Sequence, residues 1–139
     1  MDINMLRLLL DFGLLILIWM VQLVIYPSFA YYSSKELIQW HQKYTLRIAY
    51  IVIPLMLGQL MIGVYQLIDQ FSFYSIVYVI LILGVWVITF AKFVPMHNNI
   101  SRGKADEHML KQLVHINWWR TLLWTFIGLY SLFLLPSLC

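Results

Sequence analysis

Charge is scarce in this sequence. Of its 139 residues, 11% are Asp, Glu, Lys or Arg while 63% are hydrophobic, and the mean hydropathy of +0.82 lies outside the range of soluble domains. That balance excludes a soluble enzyme. Cysteine is almost missing as well: the single Cys139 allows no intramolecular disulfide and leaves the redox compartment open. As the last residue it does not form a prenylation motif, which needs a cysteine followed by three residues. The first apolar stretch has no small-x-small cleavage site after it and carries Asp2 and Arg7 in its leader. It therefore reads as a retained helix and not as a removed signal peptide.

What is present is long apolar runs. A hydrocarbon core about 30 Å thick takes ~20 apolar residues per helical crossing, so this length supplies four crossings, short loops and no second domain. The expected architecture is all-α, an integral membrane four-helix bundle forming a single domain over 1–139, with spans at about 6–29, 48–68, 73–93 and 118–135. Pro27 is the expected exit of the first span and Pro95 the end of the third, since proline lacks the N–H a helix interior needs. The Ser33-Ser34-Lys35-Glu36 run resembles a helix start that leads into the second span. Pro54 should kink or loosen that span, a helix begins near Asp106, and Pro136 stops the last one. The two halves faintly resemble each other: Trp19 precedes Tyr26-Pro27 as Trp86 precedes Val94-Pro95, and a histidine-bearing polar segment follows each.

The net charge of +3 orients the chain in a bilayer; it does not indicate nucleic acid. Lys35, Lys43, Arg47, Lys92, Arg102, Lys104, Lys111 and Arg120 belong to the two longer loops or their edges, against Arg7 alone on the other side. Lys and Arg are retained in the cytoplasm. Both termini should therefore lie outside it, in a multi-pass protein of a bacterial cytoplasmic membrane.

All four histidines, His41, His97, His108 and His115, fall on that basic side. Polar side chains are costly in a membrane, and those that persist face the bundle interior, a partner or a wet cavity. Helical spacing places His41 and Tyr44 on one face of the second helix with Arg47 one step round, and puts Asn117, Arg120, Thr121 and Trp124 in one stripe on the fourth. Gln22 and Tyr26 share a face of the first helix, close enough to the basic side to line the same pocket. A guanidinium such as Arg120 can hold a carboxylate, phenolate or phosphate by its planar fork. The bland alternatives stand beside these: Arg120 snorkels to lipid phosphate, Asn117 glues helices, and His41 and His97 are satisfied interfacial histidines. Arg7 and Asp11 are most simply a local ion pair, and the Met56, Gln59, Gly63 and Gln66 stripe is packing. His108 and His115 share a face, but no cysteine or inward carboxylate stands near to complete a metal site. A bis-histidine haem on His41 and His97 is the remaining cofactor alternative.

The run Val94-Pro95-Met96-His97-Asn98-Asn99-Ile100, followed by Asn117-x-x-Arg120, resembles the anthrone-oxygenase-like membrane family, long catalogued as a domain of unknown function. Pro95, Asn117 and Arg120 match its motifs. His97 stands where the family usually has Asn, Leu113 stands where a Trp often precedes the second motif, and the first half matches only by hydropathy. The resemblance implies a four-helix bundle and cofactor-free oxidation of a polycyclic aromatic by molecular oxygen.

These readings converge on a pocket for a small lipophilic molecule at the cytoplasmic interface. Within it His41, His97 and Arg120 are the candidate catalytic residues, and Gln22, Tyr26, Tyr44, Arg47, Asn98, Asn117 and Trp124 the candidate substrate contacts. No cofactor is expected. The competing class is a non-catalytic module that binds lipid or a partner protein. A pore is disfavoured by the lack of a polar file through the bilayer, unless a homo-oligomer supplies one.

Overall fold

The computed structural model describes residues 2–134, for Leu134 the backbone alone. The expected end of the last span at residue 135, the Pro136 stop and Cys139 lie outside the described residues. Four long helices account for nearly all of them: α1 (Ile3–Tyr31), α2 (Ser34–Asp69), α3 (Phe73–Ser101) and α4 (Glu107–Leu134). The first three are long and apolar enough to cross a membrane.

Each helix starts where a side chain can satisfy its free N–H groups. Ser33 and Glu36 form a reciprocal capping box at α2, Ser72 and Ser75 do the same at α3, and the Asp106 carboxylate accepts from Met109 N at 2.7 Å ahead of α4. The turn after α3 closes through Gly103, whose φ of +71° is the left-handed conformation that suits glycine. Such tight connections force neighbouring helices antiparallel. The result is a ring in which α1 packs on α2 and α4, and α3 on the same two. One end of the bundle holds the α1 start, the α2–α3 turn and the α4 end; the other holds the α1–α2 and α3–α4 loops.

The two prolines expected to end spans do not end helices. Helix α1 continues past Pro27 to Tyr31, and α3 past Pro95 to Ser101. In each case a π-helical turn precedes the proline, Val21–Ile25 in α1 and Thr89–Phe93 in α3. Widening the ladder by one residue absorbs the missing N–H and the ring clash, so the chain stays helical. The same device stands ahead of the proline in both hairpins. Helix α2 likewise runs unbroken through Pro54.

The side-chain distribution is that of a protein dissolved in lipid. Leu9, Ile16, Leu23, Ile53, Phe90 and Phe126 are exposed, whereas Arg7, Asp11, Gln22, His41, Gln59, Asn117 and Arg120 are buried. An apolar solvent favours exactly that exchange. Leu14, Ile18, Phe29, Ile82, Val85, Ile100, Leu113 and Ile127 belong to one buried hydrophobic core.

Candidate functional site

One polar cluster sits at the loop end, where the extra helical length beyond the π-turns matters. Because α3 does not stop at Pro95, His97 and Ser101 remain on a helix that packs against the start of α2, where His41 is fully buried. His41 Nε2 lies 2.7 Å from His97 Nδ1, with the rings stacked at 5.0 Å. His41 Nδ1 lies 2.8 Å from Ser101 Oγ, and His97 Nε2 lies 2.9 Å from the Tyr26 hydroxyl. Phe29 packs edge-on against His41 and Tyr44, while His97 is only partly buried.

All four ring nitrogens are therefore engaged in one chain, Ser101–His41–His97–Tyr26. With both rings neutral each has one N–H and one lone pair, so the chain runs in one of two directions. Either Tyr26 donates to His97, His97 to His41 and His41 to Ser101, or every bond is reversed, which frees the Tyr26 proton to point elsewhere. Passing between the two carries a proton along the chain while every ring nitrogen stays hydrogen-bonded in both directions. Such an arrangement can carry a proton, with Tyr26 at one end of it.

Tyr26 lines a cavity of about 340 Å³, of a size that suits a small ligand (~300–1,000 Å³). Its walls are mostly apolar, with Tyr44, Ile48, Val52 and Met56 from α2 and Trp86, Phe90 and Phe93 from α3; polar groups on it include Tyr26, Thr45, His97, Asn98, Ser101 and Arg120. A second cavity of about 630 Å³ lies on the other side of Tyr26, under the loops, lined by Pro27, Tyr32, Ile38 and Lys111 among others. At its rim Lys111 Nζ bonds Glu107 at 2.6 Å, and that hydrogen bond, with the lysine charge, holds the exposed Glu107 carboxyl below its ordinary range.

Arg120 is 7% exposed and does not reach outward to headgroups. Its guanidinium carbon stands 4.3 Å from the centre of the Phe93 ring and 5.1 Å from that of Trp124, a cation held between aromatic faces. One Nη contacts Asn117 Oδ1 at 3.5 Å, and Nε has no acceptor.

The other expected contacts divide. Tyr44 and Asn98 line the smaller cavity with Tyr26 and His97. Gln22 and Asn117 do not: Asn117 Nδ2 donates to Gln22 Oε1 at 2.9 Å, Thr121 donates to the same oxygen, and Gln22 Nε2 donates to the Val114 carbonyl. Their role is to hold α1 to α4. Trp124 is buried beneath Arg120 and donates to Gln59 Oε1 at 3.4 Å, while Arg47, His108 and His115 are exposed. Arg47 lies one helical step round from the inward Tyr44, and that step turns it out of the bundle. The His41–His97 geometry also fails to fit a haem. Two axial imidazoles need their nitrogens about twice a metal–nitrogen bond of ~2.0–2.1 Å apart, whereas these touch directly at 2.7 Å.

The second cluster lies toward the opposite end. Asp11, fully buried, accepts from Gln59 Nε2 at 2.6 Å, from Tyr78 OH at 2.8 Å and from Ser131. The expected Arg7–Asp11 ion pair does not form: Arg7 donates instead to Gln66 Oε1 at 2.9 Å and lies over the Tyr78 ring. Asp11 points into the bundle axis, where three other helices bring it donors, and Arg7 takes the amide nearer the helix end. Sequence reasoning placed no role on Ser101, Trp86, Tyr78 or Ser131. The lone aromatic Tyr78 and the small Ser131 inside apolar runs were the available signals for the last two.

No protein-family model, curated protein or solved structure matches the chain.

Proposed function

We propose that this is a four-crossing protein of the bacterial cytoplasmic membrane that binds a small lipophilic, aromatic molecule in the cavity between α2 and α3 and exchanges a proton with it through Tyr26, His97 and His41. The observation that supports this reading best is the unbroken Ser101–His41–His97–Tyr26 chain, of which Tyr26, His97 and Ser101 lie on the cavity wall. Buried polar groups in a bundle usually satisfy one another and stop; here the chain borders an apolar, ligand-sized space. Arg120 on the same wall supplies positive charge where a phenolate or enolate would form.

Removal of such a proton is the first requirement of a cofactor-independent oxygenation. In the anthrone-type reaction implied by the sequence resemblance, a ring CH₂ becomes C=O: molecular oxygen supplies the carbonyl oxygen, accepts four electrons in all, and leaves its second atom as water with the two methylene hydrogens. The test is oxygen uptake by the purified full chain in detergent with an anthrone as substrate. His97→Ala and Arg120→Ala are expected to abolish turnover while the protein still inserts, with Tyr26→Phe lowering it by about 10²–10⁴-fold, the usual contribution of a positioned acid–base group. Turnover unchanged in both alanine variants overturns the mechanism. Binding of the anthrone with no turnover by the parent chain moves the protein to the class of non-catalytic binders.

A further inference from the structure

The walls of the smaller cavity hold two buried N–H donors with nothing to donate to. Arg120 Nε on α4 and Trp86 Nε1 on α3 are both inaccessible and without an acceptor, and both residues line this space. Among the described residues the other buried side-chain donors without an acceptor, Arg7 Nε and Nη2, lie toward the opposite end of the bundle and outside this cavity. Arg120, moreover, faces no carboxylate: the ion pair among the described residues is the exposed Lys111–Glu107, and Arg120 contacts the uncharged amide oxygen of Asn117 at 3.5 Å. A cation more than nine-tenths buried in an apolar setting calls for a counter-charge.

The route into the cavity runs through the side of the bundle. Ile53, midway along α2, is 52% exposed, and Phe90, facing it on α3, is 59% exposed; both belong to the cavity wall. These are residues of the lipid-facing surface, so the mouth lies between α2 and α3 at the depth of acyl chains. A molecule entering there comes from the bilayer.

We infer that the cavity selects a singly charged lipophilic acid, which slides in from the membrane between α2 and α3 and places its ionised oxygens on Arg120 Nε and Trp86 Nε1. One guanidinium balances one negative charge, and a volume near the lower end of ligand-pocket sizes fits one small acid but not a two-chain lipid. The inference rests on the lipophilic pocket proposed above and adds to it the charge, the entry route and Trp86 as a binding residue. It also separates Arg120 from Asn117, whose amide is committed to Gln22.

Equilibrium binding to the full chain in detergent, with anthracene-9-carboxylate and its methyl ester as matched probes, tests this. The acid should bind about tenfold or more tighter than the ester, as a charge-assisted contact to two donors implies. Arg120→Gln should erase that preference, Arg120→Lys should restore part of it, and Trp86→Phe, which keeps the ring and removes the N–H, should weaken the acid while sparing the ester. Ala49→Phe, which fills the cavity from α2, should remove binding of both. Equal affinity for acid and ester overturns the charge selection while leaving the lipophilic pocket intact. Binding of neither probe defeats the pocket itself, and binding of both unchanged in Ala49→Phe places the ligand elsewhere and overturns the assignment.

Discussion

Asp11 shows how much one side chain can organise in this setting. Its two oxygens gather donors from α2, α3 and α4 at once, through Gln59, Tyr78 and Ser131. In lipid none of these groups has water to fall back on. A single interhelical hydrogen bond in a membrane is worth ~0.6 kcal/mol and at most about 1.7, so Tyr78→Phe should lower stability by roughly that amount. Asp11→Ala should cost more than Tyr78→Phe, because it leaves three donors unpaired at once, and Asp11→Asn should fall between them. Thermal unfolding of the three variants in one detergent gives the order. An Asp11→Ala variant as stable as the parent would mean that the cluster does not tie the helices together.

At the scale of the element, the π-turns and the glycines do separate work. The π-turns carry α1 and α3 across their prolines and so deliver Tyr26 and His97 to the same level of the bundle. Gly63 sets the spacing of α2 and α3 farther down: a Cβ there would meet Ile82 Cδ1 at 3.1 Å and the Tyr78 ring at 3.2 Å. Small residues at such crossings let helices approach closely without a hydrophobic driving force. Gly63→Ala should therefore cost about 1–3 kcal/mol, the usual price of overpacking. Gly84→Ala, whose added methyl would find only ordinary contact with Leu123 at 3.9 Å, should leave stability unchanged. Equal melting temperatures for the two variants would refute the close-approach argument.

For the whole molecule, the basic residues crowd the end that holds the His41–His97 pair and both cavities. The positive-inside bias predicts that this end faces the cytoplasm. In a C139S background, a cysteine introduced as Arg102→Cys should react with a membrane-impermeant maleimide in inside-out vesicles and not in right-side-out ones. The opposite labelling would invert the topology. The interior is also more polar along its length than the sequence suggested, with Asp11, Gln59, Trp124 and Arg120 following one another from one cluster toward the other. Trp124 interrupts any proton path there, because an indole N–H donates and cannot accept. The contacts between the two clusters thus tie helices together without offering a proton path from one cluster to the other.

Much of this was legible in the sequence because the bilayer imposes a length and a polarity that residues must obey one by one. The four helices, the capping at Ser33 and Asp106, and the burial of His41, Tyr44, Asn117 and Arg120 all follow from apolar run length and three-and-four spacing. The Pro27 and Pro95 boundaries were misread, since a one-residue widening of the backbone ladder has no sequence mark of its own. Partner choice was equally hidden. Which donor Asp11 takes, whether Gln22 faces a ligand or Asn117, and whether His41 meets His97 depend on how separate helices rotate against each other. Periodicity determined which face of each helix turns inward; only the packed bundle decided which inward groups meet, because hydrogen bonds between helices are set by distances that no single helix contains.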